Sequence, residues 1–558
     1  METAKVPDMG TRRTDTATLL LDRLGDQRLG LRTREQDWTW DAVVRESAAR
    51  AELARAMRRD GPFHIGVLLD NVPDFIFWVG AAALSGATIA GINPTRGDAQ
   101  LAADIRYVDS QLIVTDAAGM ARLRDLDLGL DADRFLLIDD PGYPALIDAH
   151  RCEPTVTATP DSLLLLLFTS GTSGSSKAVK CSQRRFAGMA YGSIDKFDHV
   201  REDVEYCCMP LFHGNALFAL WAPSLALGAT VCLTRKFSAS GFLADVRFFD
   251  ATFFTYVGKA LGYLLATPEA DNDSDNTLVR GFGTEASVAD QEQFRRRFGA
   301  FLFEGYGSSE GANLSTPADD APPNALGRPT HAGVAIVNPE TMQECVPAEL
   351  DEYGRVLNPE DAIGEMIDKV GAAAFEGYYK NDVADAERVR NGWYWTGDLG
   401  YLDADGFLYF AGRKGDWLRV DGENTSTLLI EQVVRRHPGV IAAAVFGVPD
   451  PRSGDQVMAA IEVADPAAFD AVEFAQFLTG QEDLGSKGAP RLLRVSGNLP
   501  VTGSNKVIKR DLQEQKWRTE ESMYRWIGRG EPKYSLMTAV DKAALEAEFA
   551  AYGRQHVV

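Results

Sequence analysis

Cysteine is scarce: Cys152, Cys181, Cys207, Cys208, Cys232 and Cys345 are the only six in 558 residues. No CxxC pair or Cys/His cluster occurs, and the adjacent Cys207 and Cys208 have no metal-ligand spacing. A disulfide scaffold and a zinc ribbon are thereby excluded, and the thiols read as reduced, mostly buried and cytoplasmic. Positive charge is also in deficit. Lys plus Arg comes to 57 against 80 Asp plus Glu, a formal charge of −23. That balance argues against nucleic-acid binding, which needs clustered basic residues. The N-terminal METAKVPDMGTRRTDTATLL has no signal-peptide apolar core.

Long uncharged runs number two. Residues 75–93 are long enough to span a bilayer, but they are rich in Gly and Ala and are split at Gly86. A buried helix followed by a short strand over 88–92 fits them better. Residues 206–234 contain no Asp, Glu, Lys or Arg, yet hold Pro210, His213, Asn215 and Pro223. Such breakers and polar groups suit a pocket wall better than lipid. Peripheral membrane contact stays open.

What is present is an ordinary globular composition, 45% apolar and 25% charged, with length for three to four units. Strand-like runs over 63–69, 112–115, 135–138 and 163–168 alternate with helical ones such as 72–85, which predicts α/β layers with mostly parallel sheet. Residues 320–415 carry short strands and turn dipeptides such as Asp405-Gly406 and predict an antiparallel, barrel-like portion. Beyond Gly412 the pattern predicts a small α+β unit: helix 425–437, strands 442–448 and 457–463, helix 467–479, and a short tail helix over 543–552. The fold class is therefore α/β: a large N-terminal domain of layered α/β subdomains (1–413) and a small mobile α+β C-terminal domain (414–558).

The segment LLLLLFTSGTSGSSK carries the chemistry. A buried strand runs into Thr169, Ser170, Gly171, Thr172, Ser173, Gly174 and then Lys177. Glycines let backbone amides approach a phosphate, hydroxyls add donors, and the lysine adds a point charge. The spacing is not that of a Walker A loop. It resembles the phosphate loop of the adenylate-forming superfamily, which comprises acyl-CoA synthetases, peptide-synthetase adenylation domains and luciferases. Ser176 departs from it, standing where that loop has proline.

Further motifs follow. FEGYGSSE resembles its Y-G-x-[ST]-E segment, which implies Tyr306 and Gly307 at adenine, Ser309 at the α-phosphate and Glu310 as the catalytic magnesium ligand. A carboxylate beside substrate phosphate oxygens suits that ion. Gly283, Thr284 and Glu285 occupy the adenine-floor segment, where Glu285 is unusual. Asp398, in TGD, implies a ribose contact, and Arg413 a nucleotide contact at the start of the hinge motif. LPVTGSNKVIKR places Lys506 on the catalytic lysine, with Lys509 facing solvent. PLFH places His213 as a gate beside the reacting carboxylate rather than as a general base.

The run from Gly412 through Gly422, Glu423 and Asn424 looks most like fatty-acid-transport-protein and very-long-chain acyl-CoA synthetases, including their bacterial branch. The whole also resembles, less closely, ligases of platensimycin-type diterpenoid antibiotic pathways, which would imply a bulky polycyclic acid. The resemblance implies an acyl-CoA ligase using a fatty or polycyclic carboxylic acid, MgATP and CoA, through an acyl-adenylate. It implies rotation of the C-terminal domain about Lys414 and Gly415 between half-reactions, with Gly422, Glu423 and Asn424 lining the CoA channel. A homodimer stays open. Competing readings are a ligase that mainly thioesterifies a preformed adenylate, an adenylation domain charging a carrier protein, and a non-catalytic fatty-acid uptake protein.

Overall fold

In the computed structural model, the leucine run lies in the strand Leu163–Thr169, whose residues are buried on both faces as a strand inside a covered sheet must be. The structure describes residues 12–169, 177–311, 313–318, 320–352, 354–413, 417–420, 423–452, 454–481, 484, 488–502, 506–527 and 533–557. The leucine strand belongs to a six-stranded sheet ordered Phe135–Leu137, Ser110–Thr115, His64–Leu68, Thr88–Gly91, Leu163–Thr169 and Lys177–Ser182. All pairs are parallel except the last, so the chain leaves Thr169 and returns antiparallel at Lys177 opposite it.

A second sheet has seven strands, ordered Phe301–Glu304, Arg280–Thr284, Phe253–Val257, Val204–Cys207, Thr230–Leu233, Leu29–Arg32 and Asp37–Thr39. It is parallel but for its final hairpin. Apolar helices lie against these sheets. Pro73–Ser85 is buried from Phe75 to Ser85 and ends at Gly86, whose φ of +75° suits glycine. Trp40, Trp78 and Trp221 are fully enclosed in this core. No helix among the described residues is long and apolar enough to cross a membrane. The run 206–234 is a strand, a short π-helix (Leu217–Trp221), a helix and a second strand.

The Gly-rich stretch is antiparallel, as its turns predict. Its strands Ser315–Thr316, Ala325–Pro329, Leu408–Arg413, Trp393–Leu402, Gly364–Asp368 and Val334–Val337 pair in that order. The last unit is a five-stranded sheet, Ala442–Pro449, Asp455–Glu462, Leu492–Ser496, Ser522–Ile527 and Lys533–Leu536, with its own apolar cores.

Two local expectations shift. The helix expected over 467–479 is a 3-10 turn, Pro466–Ala468, and a separate helix Ala471–Thr479, because Asp470 caps the amides of Val472 and Glu473. The helix expected from 425 starts at Thr427, since residues 423–426 pair with Trp417–Val420. All six cysteines are unbonded thiols, four of them buried. Burial pushes Cys181 up to about 12 and Cys207, Cys208 and Cys232 above their usual range.

Candidate active site

Thr169 and Thr284 end parallel strands, and Glu285 and Tyr306 follow such ends, where open α/β sheets place their ligands. Thr169 ends one strand, and Lys177 begins the strand that pairs with it. The Lys177 ammonium lies over the Tyr378 ring, 5.3 Å from its centre, and 3.2 Å from Glu387. Residues 170–176, with Ser170, Gly171, Thr172, Ser173, Gly174 and Ser176, lie outside the described residues. So do Lys414, Gly415, Gly422 and Asn505. Glu423 and Asn424 stand in the strand Glu423–Ser426, whose side chains are likewise outside the description.

Glu310, which is buried, meets the Tyr378 hydroxyl. The Tyr378 hydroxyl donates to Glu310 Oε1 at 2.8 Å, and Arg388 Nε donates to that hydroxyl at 3.1 Å. Arg388 is itself held by the carbonyls of Trp395 and Thr396. Glu310 is therefore an oriented, enclosed carboxylate, which fits a magnesium ion shared with phosphate oxygens. Sequence reading missed Tyr378 and Arg388. Their spacing from Glu310 along the chain gives no signal, because three different segments meet there.

The nucleotide-side residues are also brought together. Gly283, on Arg280–Thr284, packs against the Tyr256 ring, where a Cβ would come within 2.4 Å of it. Only glycine fits that floor. Tyr306 donates its hydroxyl to Asp398 Oδ2 at 2.7 Å. Asp398 and Arg413 face each other across paired strands, with Arg413 Nε 3.6 Å from Asp398 Oδ1. Burial raises the Asp398 carboxyl despite Arg413 and the Tyr306 hydroxyl. Gly307 is exposed. The Ser309 carbonyl is held by Arg185, and a Cβ on Gly214 would lie 3.7 Å from its hydroxyl, so the expected α-phosphate serine neighbours the His213 segment.

Lys506 reaches this site from the C-terminal unit. Its Nζ lies 2.7 Å from Glu285 Oε1. Burial works against the charged Glu285 carboxylate, but Lys506, with Arg413 and Arg435, brings it below the usual range. His213 is pushed down to about 4, first by burial and then by Lys506 and Arg96. At neutral pH its imidazole is uncharged. Its Nε2 has no hydrogen-bond partner among the described residues. This suits a gate beside a carboxylate and disfavours a base. Beneath the floor, Tyr256 donates to Glu304 Oε1 at 2.5 Å, and burial pushes the Glu304 carboxyl up to about 8. Glu304 belongs to the FEGYGSSE motif, whose pattern assigns it no role. Lys509, expected in solvent, is half-buried 2.8 Å from Glu431.

Among the described residues, one other acidic and imidazole cluster has metal-like spacing: His199, Asp203 and Glu205. Its groups bond one another and the sheet, although His199 Nε2 and Glu205 Oε2 have no hydrogen-bond partner among the described residues. His199 Nδ1 pairs with Glu205 at 2.9 Å, and Asp203 accepts from Arg280 at 2.6 Å and from Thr252 at 2.8 Å. It is a buried polar knot of the sheet.

The AMP-binding enzyme family matches residues 25–379, and the AMP-binding enzyme C-terminal domain matches residues 429–506. The chain belongs to the AMP-binding enzyme family. Steroid-22-oyl-CoA synthetase of Rhodococcus jostii (strain RHA1) is 66% identical over 552 residues, which is 98% of this chain and 99% of that protein. Medium/long-chain-fatty-acid–CoA ligase FadD17 of Mycobacterium tuberculosis is 43% identical over 480 residues, 86% of this chain and 91% of that one. The fold matches o-succinylbenzoate CoA synthetase of Bacillus subtilis in complex with its acyl-adenylate, with a TM-score of 0.74 at 25% identity over 91% of this chain and 99% of that one. It also matches ATP-bound MatB of Rhodopseudomonas palustris, with a TM-score of 0.75 at 21% identity over 89% and 98%. This AMP-binding enzyme is an acyl-CoA ligase, an acid–thiol ligase that uses ATP and CoA and passes through an acyl-adenylate.

Proposed function

We propose that this ligase activates the C-22 carboxylate of a steroid. The observation that carries the proposal is the 66% identity with steroid-22-oyl-CoA synthetase across nearly the full length of both chains. The fatty-acid ligases fall to 41–43%. One helix surface is a candidate for the acyl path. On the helix Gln183–Phe197, Arg185 is tied to Ser309, and Lys196 to Asn313 and Ser315. Between these two ties stand Gly188 and Gly192, one turn apart, with nothing within 4 Å of where their Cβ atoms would lie. Both glycines are exposed, on a helix face about 16 Å long from Arg185 to Lys196 at 1.5 Å per residue.

In the first half-reaction a carboxylate oxygen attacks the α-phosphorus of ATP and the bond to pyrophosphate breaks. Two anions meet, so positive groups fixed in advance carry the acceleration. Lys506 and Lys177 supply the charge, and the Ser309 hydroxyl donates to the α-phosphate. Tyr306 and Asp398 fix adenine and ribose. Glu310, aimed by Tyr378, would hold the magnesium ion, which neutralises phosphate charge when bound. Neutral His213 borders the carboxylate. In the second half-reaction the CoA thiol adds to the acyl carbonyl, AMP leaves with the shared oxygen, and the thiol proton passes to solvent. For that step the unit beyond residue 413 turns about Lys414 and Gly415, withdrawing Lys506 and bringing Gly422, Glu423 and Asn424 to the thiol's path. The unpaired cysteines fit work in the cytoplasm.

The test is competition. With limiting CoA and equal steroid-22-oic acid and palmitate, mass spectrometry of the thioesters should show the steroid product in excess by about 10²-fold or more, the size of discrimination a shaped pocket supplies. Excess palmitoyl-CoA would overturn the steroid assignment.

A further inference from the structure

Arg435 is the last residue of the helix Thr427–Arg435, in the same unit as Lys506, and it forks onto the nucleotide-binding half of the chain. Nη1 donates to the main-chain carbonyl of Glu285 at 2.9 Å, and Nη2 lies 2.7 Å from Asp290 Oδ2. Asp290 already accepts the Ser287 amide through that same oxygen, in the capping box that opens the helix Val288–Phe298. The two side chains are only 14% and 18% exposed, so water screens the contact little.

The carbonyl that Arg435 holds belongs to a special residue. Glu285 takes φ of +75° without being glycine. Gly258 sits directly against its carbonyl, where a Cβ would stand 2.3 Å from the oxygen. The Glu285 backbone is thus clamped between Gly258 and Arg435, and its carboxylate is fastened to Lys506. One guanidinium fixes the residue that fixes the lysine. A separate contact joins the same two parts of the chain: Lys259 lies 2.9 Å from Glu462, with both side chains almost wholly buried.

We propose that Arg435 is the positioning residue of adenylate formation, its fork onto Asp290 and the Glu285 carbonyl holding Lys506 at the reacting centre. This rests on the reading above, in which Lys506 serves the first half-reaction and then withdraws. Arg435 travels on the same unit and releases both acceptors when the lysine leaves. Asp290 keeps its Ser287 cap throughout, so the helix it opens does not depend on Arg435.

The experiment uses full-length R435A and R435K with steroid-22-oic acid. One arm measures acid-dependent ATP–pyrophosphate exchange. The other measures thioester formation from synthetic steroid-22-oyl adenylate and CoA. For R435A, exchange should fall about 10²-fold, the scale of a small misplacement of a reacting group, while transfer keeps its wild-type rate. R435K should show the same split with a smaller loss, since an ammonium grips one acceptor at a time. Adding D290N to R435A should cost nothing further, because the two share one contact. Equal losses in both arms in either variant, or unchanged exchange in R435A, would overturn the proposal. R435K retains the charge and stem, so its two rates decide the matter if R435A does not fold. Wild-type enzyme inactive in both arms would instead overturn the steroid reading on which the proposal rests.

Discussion

At the residue scale, the motifs point to candidate reacting groups, but protonation states come only from packing. Glu304 is the clearest example. Its pKa rises from an ordinary 4.5 to about 8, because burial disfavours the charged form more than the Tyr256 hydroxyl favours it. A carboxyl with a raised folded pKa keeps its proton where the unfolded chain has lost it. Its contribution to stability is complete below about 4.5 and is lost as pH climbs to about 8. Glu304→Gln should therefore flatten the fall in melting temperature between those limits, as read by thermal scans across pH. A variant curve parallel to wild type would show that Glu304 is ordinary. Lys506 gives a kinetic prediction. Lys506→Met should cut pyrophosphate exchange about 10²–10³-fold, as losing one preorganised charge does, while transfer from the preformed adenylate persists. Glu285, odd as an adenine-floor residue, makes sense only once its 2.7 Å contact with Lys506 is seen. No sequence pattern places residues 221 apart in one ion pair.

At the scale of elements, buried strands and long apolar helices were legible, because burial on both faces imposes continuous apolar runs. The leucine strand and Pro73–Ser85 fall within a residue or two of expectation. Capping decided the misses: Asp470 starts a new helix where periodicity alone joined two. Ion pairs between elements were not legible at all. Arg297, on Val288–Phe298, holds Asp273 at 2.5 Å and donates to the carbonyls of Leu264, Thr267 and Pro268. It clamps the end of Gly258–Leu265 and its following turn, with both charges buried. Arg297→Ala strands Asp273 and should cost about 3–5 kcal/mol, visible as a lower unfolding midpoint in urea. Gly192→Leu tests the open helix face. Its Cβ has room and leucine favours helix, so the melting temperature should hold or rise. If the steroid acid lies along this face, its activation should fall about 10-fold or more while a short-chain acid is spared. Equal effects on both acids would remove that face from the acyl path.

At the scale of the whole molecule, the order of motifs along 558 residues announced an adenylate-forming ligase, and the family matches over 25–379 and 429–506 agree. The acid was out of reach of motif reading. Straight-chain and polycyclic candidates share every nucleotide-contacting residue and differ only in the shape of a pocket assembled from distant segments. The negative charge of the chain fits a protein kept apart from nucleic acid and says nothing about the acid. Lys506 and Arg435 both pair with the N-terminal half, which under the proposal above is the arrangement that serves adenylate formation.

The central claim is that this enzyme joins a steroid C-22 carboxylate to AMP before CoA. The most direct measurement supplies steroid-22-oic acid with both carboxylate oxygens labelled as oxygen-18, then weighs the products. The account predicts one labelled oxygen in AMP and one in the steroid thioester. ADP alongside labelled inorganic phosphate, or no steroid thioester at all, would contradict it.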